Sequence, residues 1–326
     1  MDTSATTYGL ISLLISDDLS DEKRNEIFQE LVSLPITPDA INEGRKALQE
    51  RMVSVQLSSD AIDTCGTGGS GMKTINTSTI TAFLVTAAGG KVAKHGNRSA
   101  SGNCGCFDLI EHLGVNIDLA PEQEKEIFEK LGIVFLFARS HHPAMRFVGP
   151  LRKEFGKKTI FNYLGPLCNP AGVMRQIIGT GNKEDALLMA GALQKSGSNR
   201  AYVVTGEDGL DEVTVTGPTR ILAIHDGKMD EQKFSPQDVG LPTYSGNEIE
   251  GGAPEENASI FLELVQGEGS EAMKALVLVN ATYALMLTDL VSSLPESFEL
   301  AENTLASGKV FEVFERYRDL STTLKS

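Results

Sequence analysis

The chain predicts an α/β fold: a small N-terminal helical domain over residues 1–57, then a larger α/β domain over 58–326 with a mostly parallel central sheet. Two patterns carry this expectation. The first 57 residues show only helical periodicity, whereas from Asp60 onward short β-branched apolar runs alternate with helical stretches, the order that builds a parallel sheet with crossover helices. At 326 residues, with 41% hydrophobic and 22% charged side chains, the chain can bury a sizeable core and is long enough for two domains.

Taken in order, Ile27, Phe28, Leu31 and Val32 make one apolar helical face. Thr37 as N-cap with Pro38 at the first helical position opens another, carrying Ile41, Leu48 and Met52. Val92 and Ala93 read as a short buried strand. Residues 133–137, 201–204 and 221–224 read as further strands, with a helix over 184–196 among them. Another strand is expected to start just after Gly209. Residues 236–254, rich in Pro, Gly and polar side chains, read as a surface excursion, and two long helices, 270–290 and 295–317, close the chain. No repeat or low-complexity tract interrupts this order.

Chemistry concentrates in 63–79. Gly66, Gly68, Gly69 and Gly71 lack Cβ atoms, so several amide N–H groups can converge on a polyanion. Thr74, Asn76, Thr77, Ser78 and Thr79 then stand at the start of an apolar helical segment, 80–88, where unpaired N–H groups and the positive end of the helix dipole favour an anion. Phosphate is the expected ligand. The spacing of Gly66, Gly68 and Gly71 also fits a dinucleotide fingerprint, but the next strand, around Val92, carries no carboxylate for a ribose hydroxyl. Lys73 and Thr74 follow Met72 rather than a glycine, which departs from a Walker A loop. A purely structural glycine turn is the remaining alternative, and it would not need so many hydrogen-bonding side chains beside it.

Lys94, His95, Gly96, Asn97 and Arg98 leave the carboxyl end of the strand at Val92, where open α/β sheets bind ligands. A single Lys or Arg is ordinarily a solvated charge. Beside a phosphate loop, two converging cations gain Coulombic attraction to a pyrophosphate. Asp211 and Glu212, at a strand start, can turn toward one site, and hard oxygen ligands joined by substrate phosphates suit Mg2+. Taken alone, the same pair also reads as exposed surface acid.

Bulk properties narrow the field. A net charge of −15, from 29 basic and 44 acidic residues, argues against general binding to nucleic acid or anionic membranes. A phosphorylated ligand must then be attracted by local cations and metal ions. No stretch approaches 18 uninterrupted apolar residues and the N-terminus lacks a basic region before an apolar core, so neither a membrane-spanning helix nor a secretory signal is expected. The expected location is the cytoplasm. Cys104 and Cys106 are too close for an easy disulfide, and with Cys65 and Cys168 they complete no zinc pattern, so reduced thiols are expected.

These two loops, followed by His142, Pro143, Ala144 and Met145, then by the runs 159–171 and 209–219, form an ordered motif series that resembles the anthranilate phosphoribosyltransferase family, closely over 60–220. The resemblance implies a nucleoside phosphorylase/phosphoribosyltransferase-like fold. In it, a helical segment near 145–165 joins the N-terminal helices, the site lies in the cleft between domains, and helical domains pair into a homodimer. The implied reaction moves the phosphoribosyl group of phosphoribosyl pyrophosphate to the amine of anthranilate, releasing pyrophosphate, in tryptophan biosynthesis with two Mg2+ ions per subunit.

Carried over by position, Gly66, Gly69, Ser70, Thr74, Asn76, Thr77, Ser78, Thr79, Lys94, His95, Gly96, Asn97, Arg98, Gly102 and Cys106 would bind phosphoribosyl pyrophosphate. Gly66, Asn97 and Arg152 would face anthranilate, and Ser78, Asp211 and Glu212 would hold metal, with Glu212 contacting both ions. No covalent or acid–base residue is expected. An arylamine gains little from a base, and the barrier lies in breaking the bond to pyrophosphate, so positioning and electrostatics dominate. His95 and Asn97 are therefore expected to position, and His141 and His142 to cap or pack.

The family's usual aspartate after the Gly-Thr-Gly-Gly run is Ser70 here, and the serine-rich end of the second loop has become Gly102, Cys104 and Cys106. Both departures put phosphate and metal affinity in question. Two alternatives stand beside this reading. A pyrimidine nucleoside phosphorylase shares the fold and glycine loop without needing the Asp-Glu pair, and a non-catalytic nucleic-acid-binding relative would need a basic stripe.

Overall fold

The structure is a computed structural model describing residues 6–68, 72–99 and 104–324. Helices α1 (Thr7–Leu14), α2 (Asp21–Ser33) and α3 (Pro38–Gln49) open the chain. Each starts on a hydroxyl that satisfies an early amide: Thr6 Oγ1 accepts from Gly9 N at 3.1 Å, Ser20 Oγ from Lys23 N at 3.3 Å and Thr37 Oγ1 from Ala40 N at 3.1 Å. The Thr37–Pro38 start is the expected one, although α3 ends before Met52.

Ile11, Leu14, Phe28, Ile41 and Leu48 pack together with Ile160, Phe161 and Leu164. Buried Arg24 joins the segment near 145 to this group. It donates to the carbonyls of Leu14, Ser16 and Leu19, closing the end of α1, and its guanidinium lies 4.1 Å from the centre of the Phe147 ring.

The chain then runs through β1 (Ile62–Gly66), α4 (Thr77–Ala87), β2 (Val92–Gly96), α5 (Cys106–His112), α6 (Pro121–Leu131), β3 (Ile133–Phe137) and α7 (Ala138–His141). A 3-10 turn, Pro143–Phe147, leads to α8 (Gly149–Phe155), α9 (Phe161–Leu167), β4 (Arg175–Gly179), α10 (Lys183–Ser196), β5 (Arg200–Gly206), β6 (Thr219–His225) and β7 (Lys228–Phe234). After two more 3-10 turns, Pro236–Val239 and Gly246–Ile249, come α11 (Pro254–Val265), α12 (Glu271–Leu285), α13 (Leu294–Ala306) and α14 (Lys309–Thr323).

The strands lie in the order β3-β2-β1-β4-β5-β6-β7. The first five are parallel, and β6 and β7 run antiparallel. From β1 the chain winds outward through β2 and β3, then returns to the other side of β1 as β4. That reversal creates the crevice at the carboxyl ends of β1 and β4 where open α/β sheets take their ligands.

Alternation along the strands feeds separate cores, with Ile177 in one, Ile178 in another and Ala93, Val134 and Leu136 in a third. In the first, α4 is enclosed. The Phe83 ring centre lies 5.2 Å from Phe135, 5.7 Å from Phe261, 5.6 Å from Phe314 and 5.9 Å from Tyr317. A helix that is apolar nearly all round needs such a setting, and it gives the segment after the phosphate loop a rigid mount. On the other face, Ile178, Val203 and Leu222 meet Met189 and Leu193 of α10 and, beyond them, the N-terminal helices.

Several expectations are corrected. The segment after Gly209 is not a strand. Val213 and Val215 are buried, but Val213 N and O pair with the Asn280 side chain at 3.0 and 2.8 Å, and Thr214 N donates to Thr219 Oγ1 at 2.9 Å. Side chains, rather than a neighbouring strand, satisfy this backbone. The helix read over 295–317 is two, α13 and α14, broken where Gly308 takes φ 76°, and the one read over 270–290 ends at Leu285. Strand β7 escaped notice because it is polar and exposed except at Phe234. Among the described residues, no helix is long and apolar enough to cross a membrane, and Cys65, Cys104, Cys106 and Cys168 are free thiols.

His141 and His142 pack rather than face solvent. His142 Nε2 meets the Cys168 carbonyl at 2.9 Å, and His141 lies between the Val53 carbonyl at Nδ1 (2.6 Å) and Glu124 Oε1 at Nε2 (2.9 Å). Burial opposes charge on His141, but the Glu124 bond and charge and the Val53 carbonyl outweigh it and raise its pKa. Stability from this pair is therefore full below the ordinary histidine value, about 6.5, and is lost as pH rises through the raised folded value. Glu124→Gln should lower stability at pH 6 by roughly 1.5–3 kcal/mol, with the gap to the parent narrowing as pH rises, as read by thermal unfolding from pH 6 to 9.

Candidate functional site

In the β1–β4 register Gly66 stands beside Gly179, and the Asp211 loop lies across both strand ends. A Cβ on Gly179 would sit 1.6 Å from the Asp211 carbonyl oxygen, and one on Gly66 would sit 3.1 Å from Asp211 Oδ2. Only glycine admits the loop this closely. From behind, Asn280 of α12 holds Val213, while the Asp208 carboxylate takes Thr214 Oγ1 at 2.7 Å and Leu210 N at 2.9 Å. Thr67 N donates to Gly179 O at 2.9 Å, which turns the phosphate loop off the end of β1 alongside β4.

Glu212 faces this corner. Burial and the neighbouring Asp211 charge push its pKa up to about 8, against a Thr77 hydrogen bond and the Lys94 charge, which lower it. Its Oε2 is buried without a partner. A carboxyl in that state is the kind that a divalent cation would stabilise as the anion. No group of three or more His, Cys, Asp or Glu that could hold a metal exists among the described residues. Asp211 and Glu212, with the half-buried Ser78 hydroxyl, fit Mg2+ only if substrate oxygens complete the shell, which is its common habit.

Lys94 enters from β2. Its ammonium is buried and donates to the Thr64 carbonyl. Beside it is Asp63, which is fully buried: Oδ1 accepts from His95 N at 3.2 Å and Oδ2 from Asn169 Nδ2 at 2.9 Å. Asn169 also donates to Ala93 O at 2.8 Å. Burial raises the Asp63 pKa, and Lys94, Asn169 and the His95 amide pull it back. Sequence reasoning missed Asp63 and Asn169. Neither has a local signal, because the two side chains that pair stand 106 residues apart in the sequence.

His95 is buried, with Nδ1 3.2 Å from the Gly165 carbonyl of α9 and its ring 5.3 Å from that of His142. Burial, followed by the charges of His142 and His141, lowers its pKa well below the ordinary value, so it is neutral near pH 7. The contact joins the end of β2 to the helical segment around α9.

The structure thus brings Gly66, Thr77, Lys94, Asp211 and Glu212 together, with Ser78 in the same turn. Thr79 is buried with Oγ1 beside Cys106, whose thiol is raised by burial. The Asn76 amide reaches the Cys104 carbonyl at 2.9 Å, Thr74 bridges to Glu250, and the carbon that a side chain at Gly96 would add lies 3.4 Å from Cys106 Cβ. Arg98 turns outward to Glu111 (2.6 Å) and Asp108 (3.5 Å), and exposed Asn97 accepts from its neighbour's amide, Arg98 N, at 2.8 Å. Arg152 sits on α8, half-buried, 5.8 Å from the centre of the Phe161 ring and without a carboxylate partner among the described residues. Gly69, Ser70 and Gly102 lie outside the described residues.

The close approach makes a test. Gly179→Ala should destabilise by about 1–3 kcal/mol through backbone overlap, whereas Gly246→Ala, whose Cβ would meet nothing within 4 Å, should leave thermal unfolding close to the parent's.

Residues 58–311 match the family model described as glycosyl transferase family, a/b domain. The chain is 43% identical over 263 residues to the anthranilate phosphoribosyltransferase of Rubrobacter xylanophilus, covering 81% of this chain and 77% of that one. It is 44% identical over 260 residues to that of Persephonella marina, covering 80% and 77%. Among solved structures, the Thermus thermophilus anthranilate phosphoribosyltransferase superposes with a TM-score of 0.90 at 36% identity, over 97% of this chain and 94% of that one. The Saccharomyces cerevisiae protein, in complex with phosphoribosyl pyrophosphate (PRPP) and Mg, does so at 0.88 and 28%, over 99% and 93%. Because the match runs through the sheet, both glycine-rich loops and the Asp211 loop, the chain belongs to the anthranilate phosphoribosyltransferase family.

Proposed function

We infer that this chain transfers the phosphoribosyl group of phosphoribosyl pyrophosphate to the amine of anthranilate, giving N-(5-phosphoribosyl)anthranilate and pyrophosphate in tryptophan biosynthesis. The observation that carries the reading is the Asp211–Glu212 loop laid on Gly66 and Gly179, with Glu212 Oε2 buried and unpartnered beside the first turn of α4. Relatives in complex with PRPP and Mg, and with 4-fluoroanthranilate, support the substrate pair.

The proposed cleft lies between a helical domain, residues 1–57 with the segment near 145–165, and an α/β domain, 58–326. The diphosphate rests on the amides and hydroxyls at Gly66, Gly69, Ser70, Thr74, Asn76, Thr77, Ser78 and Thr79, with Lys94, Gly96, Arg98, Gly102 and Cys106 around it. Ser78, Asp211 and Glu212 would hold Mg2+, two ions per subunit. When bound, Mg2+ supplies positive charge against the leaving pyrophosphate.

Everything else falls to the chain. Fixed helix N–H groups and the Lys94 charge stabilise negative charge as it grows on the leaving group, without reorganising at the moment of reaction. Arg152, half-buried and lowered in pKa by burial, binds the anthranilate carboxylate, for which a planar guanidinium is well shaped. Gly66 and Asn97 complete that pocket. His95, neutral and tied to Gly165 O, positions the loop and takes no proton. Pairing of helical domains into a homodimer would cover Leu13, which is 39% exposed, and the free thiols suit a cytoplasmic protein.

Anthranilate fluorescence should fall when the protein, phosphoribosyl pyrophosphate and Mg2+ are mixed, and no phosphorolysis of thymidine or uridine should occur. The reverse pattern would make the chain a nucleoside phosphorylase. Asp211→Asn and Glu212→Gln should each lower turnover strongly in folded protein, Glu212→Gln more so, and a double variant with parental activity at low Mg2+ would refute the assignment. Arg152→Ala should raise KM for anthranilate at least about tenfold, roughly 1.4 kcal/mol, with a much smaller effect on phosphoribosyl pyrophosphate. Equal effects would place Arg152 elsewhere.

A further inference from the structure

The excursion 236–254 returns to the phosphate loop. Thr74 and Glu250 form an antiparallel bridge, and Gly251 N donates to Lys73 O at 3.0 Å. A Cβ on Gly251 would lie 2.6 Å from the Thr74 carbonyl oxygen. Just beyond, in the first turn of α11, Asn257 is 3% exposed. Its Oδ1 accepts from Gly252 N at 2.8 Å and its Nδ2 donates to Asn76 Oδ1 at 2.9 Å, while Asn76 Nδ2 donates to the Cys104 carbonyl at 2.9 Å. In this chain of bonds each amide oxygen faces a donor and each amide nitrogen an acceptor, which fixes the orientation of both side chains.

The consequence falls on α4. Asn76 is its N-cap residue, a position where asparagine ordinarily accepts a hydrogen bond from the second or third amide of the helix. Here it makes no side-chain cap bond. Its oxygen is taken by Asn257 and its nitrogen by Cys104, so the amide is held aside from the first turn of the helix. Thr77 N donates to the Ile75 carbonyl at 2.8 Å and Thr79 N to the Asn76 carbonyl at 3.0 Å, so among the described residues the Ser78 amide is the first-turn donor that stays available to an anion. Through Cys104 the same bonds hold the residue just before Gly105, the N-cap of α5.

We propose that Asn257 is a positioning residue for the diphosphate: by holding the Asn76 amide away from the N-terminus of α4, it keeps the Ser78 amide open and ties Asn76 and Cys104, which follow the two glycine-rich stretches, to one strut. The proposal rests on the phosphoribosyl pyrophosphate reading of this site and deepens it by placing a residue of α11 behind Asn76. Asn257 acts through Asn76 and Cys104 rather than by touching the reacting atoms.

Steady-state kinetics with both substrates provide the test. Asn257→Asp keeps the size and the acceptor for Gly252 N but sets a carboxylate oxygen against Asn76 Oδ1, and Asn257→Ala removes the strut. Both variants should raise KM for phosphoribosyl pyrophosphate at least about tenfold and leave KM for anthranilate within about twofold. Because the effect passes through Asn76, the Asn76→Ala/Asn257→Ala double variant should be no worse than Asn76→Ala alone. A folded Asn257→Asp protein with KM for phosphoribosyl pyrophosphate within about twofold of the parent would overturn the proposal. So would equal rises for both substrates, or effects that multiply in the double variant. If the unaltered protein failed to use phosphoribosyl pyrophosphate, the functional reading itself would fall, and this inference with it. Parental kinetics together with an insensitive Asn257→Asp would remove the inference alone.

Discussion

The site depends on one close approach, the Asp211 carbonyl lying against Gly179 where a Cβ would overlap it at 1.6 Å. Parallel strands β1 and β4 end side by side in glycine, and this leaves a flat place for a loop to cross the crevice. Everything chemical follows from that crossing. It sets Glu212 against the first turn of α4, strips one carboxylate oxygen of partners, and brings Asp211 beside the start of the phosphate loop. A larger residue at 179 would push the Asp211 backbone, and the carboxylates with it, off the sheet end.

That geometry needs a rigid frame. The aromatic shell around Phe83 holds α4 on the sheet, and the Asn280 side chain holds the Asp211 loop from α12, a helix that also packs on α4. The Asp211 loop and α4 are thus mounted on the same layer. On the other edge, Asp63 ties β1, β2 and Asn169 together inside the sheet, so the Lys94 charge is fixed rather than mobile. Such preorganisation is what a reaction governed by leaving-group charge requires.

Much of this was legible in the sequence. The four glycines of 66–71 and the hydroxyl run after them marked the turn from a strand into a helix, here β1 into α4. Thr37 with Pro38 marked a helix start, and apolar runs marked β3, β5 and β6. The Asp211–Glu212 pair was singled out, but its setting was misread: the alternating Val213 and Val215 mimic a strand, and only the bonds of this backbone to the Asn280 side chain, 67 residues away, and to Thr219 reveal that no ladder forms there. Asp63, Asn169 and Asn257 were not found. Each is a common residue type whose role lies in partners on other elements, at separations of 106 residues for Asn169 and Asp63 and 181 for Asn257 and Asn76, and local pattern carries no trace of such pairings. Strand β7 was hidden for a different reason, since an exposed edge strand has no apolar face to show.

The account's central claim is that diphosphate and metal meet between the first turn of α4 and the Asp211 loop. A crystal structure with phosphoribosyl pyrophosphate and Mn2+, located by anomalous scattering, tests it most directly. The account predicts a metal peak within ligand distance of Glu212 and a diphosphate lying over the amides at the start of α4. Metal away from Glu212, or a diphosphate bound outside this crevice, would contradict it.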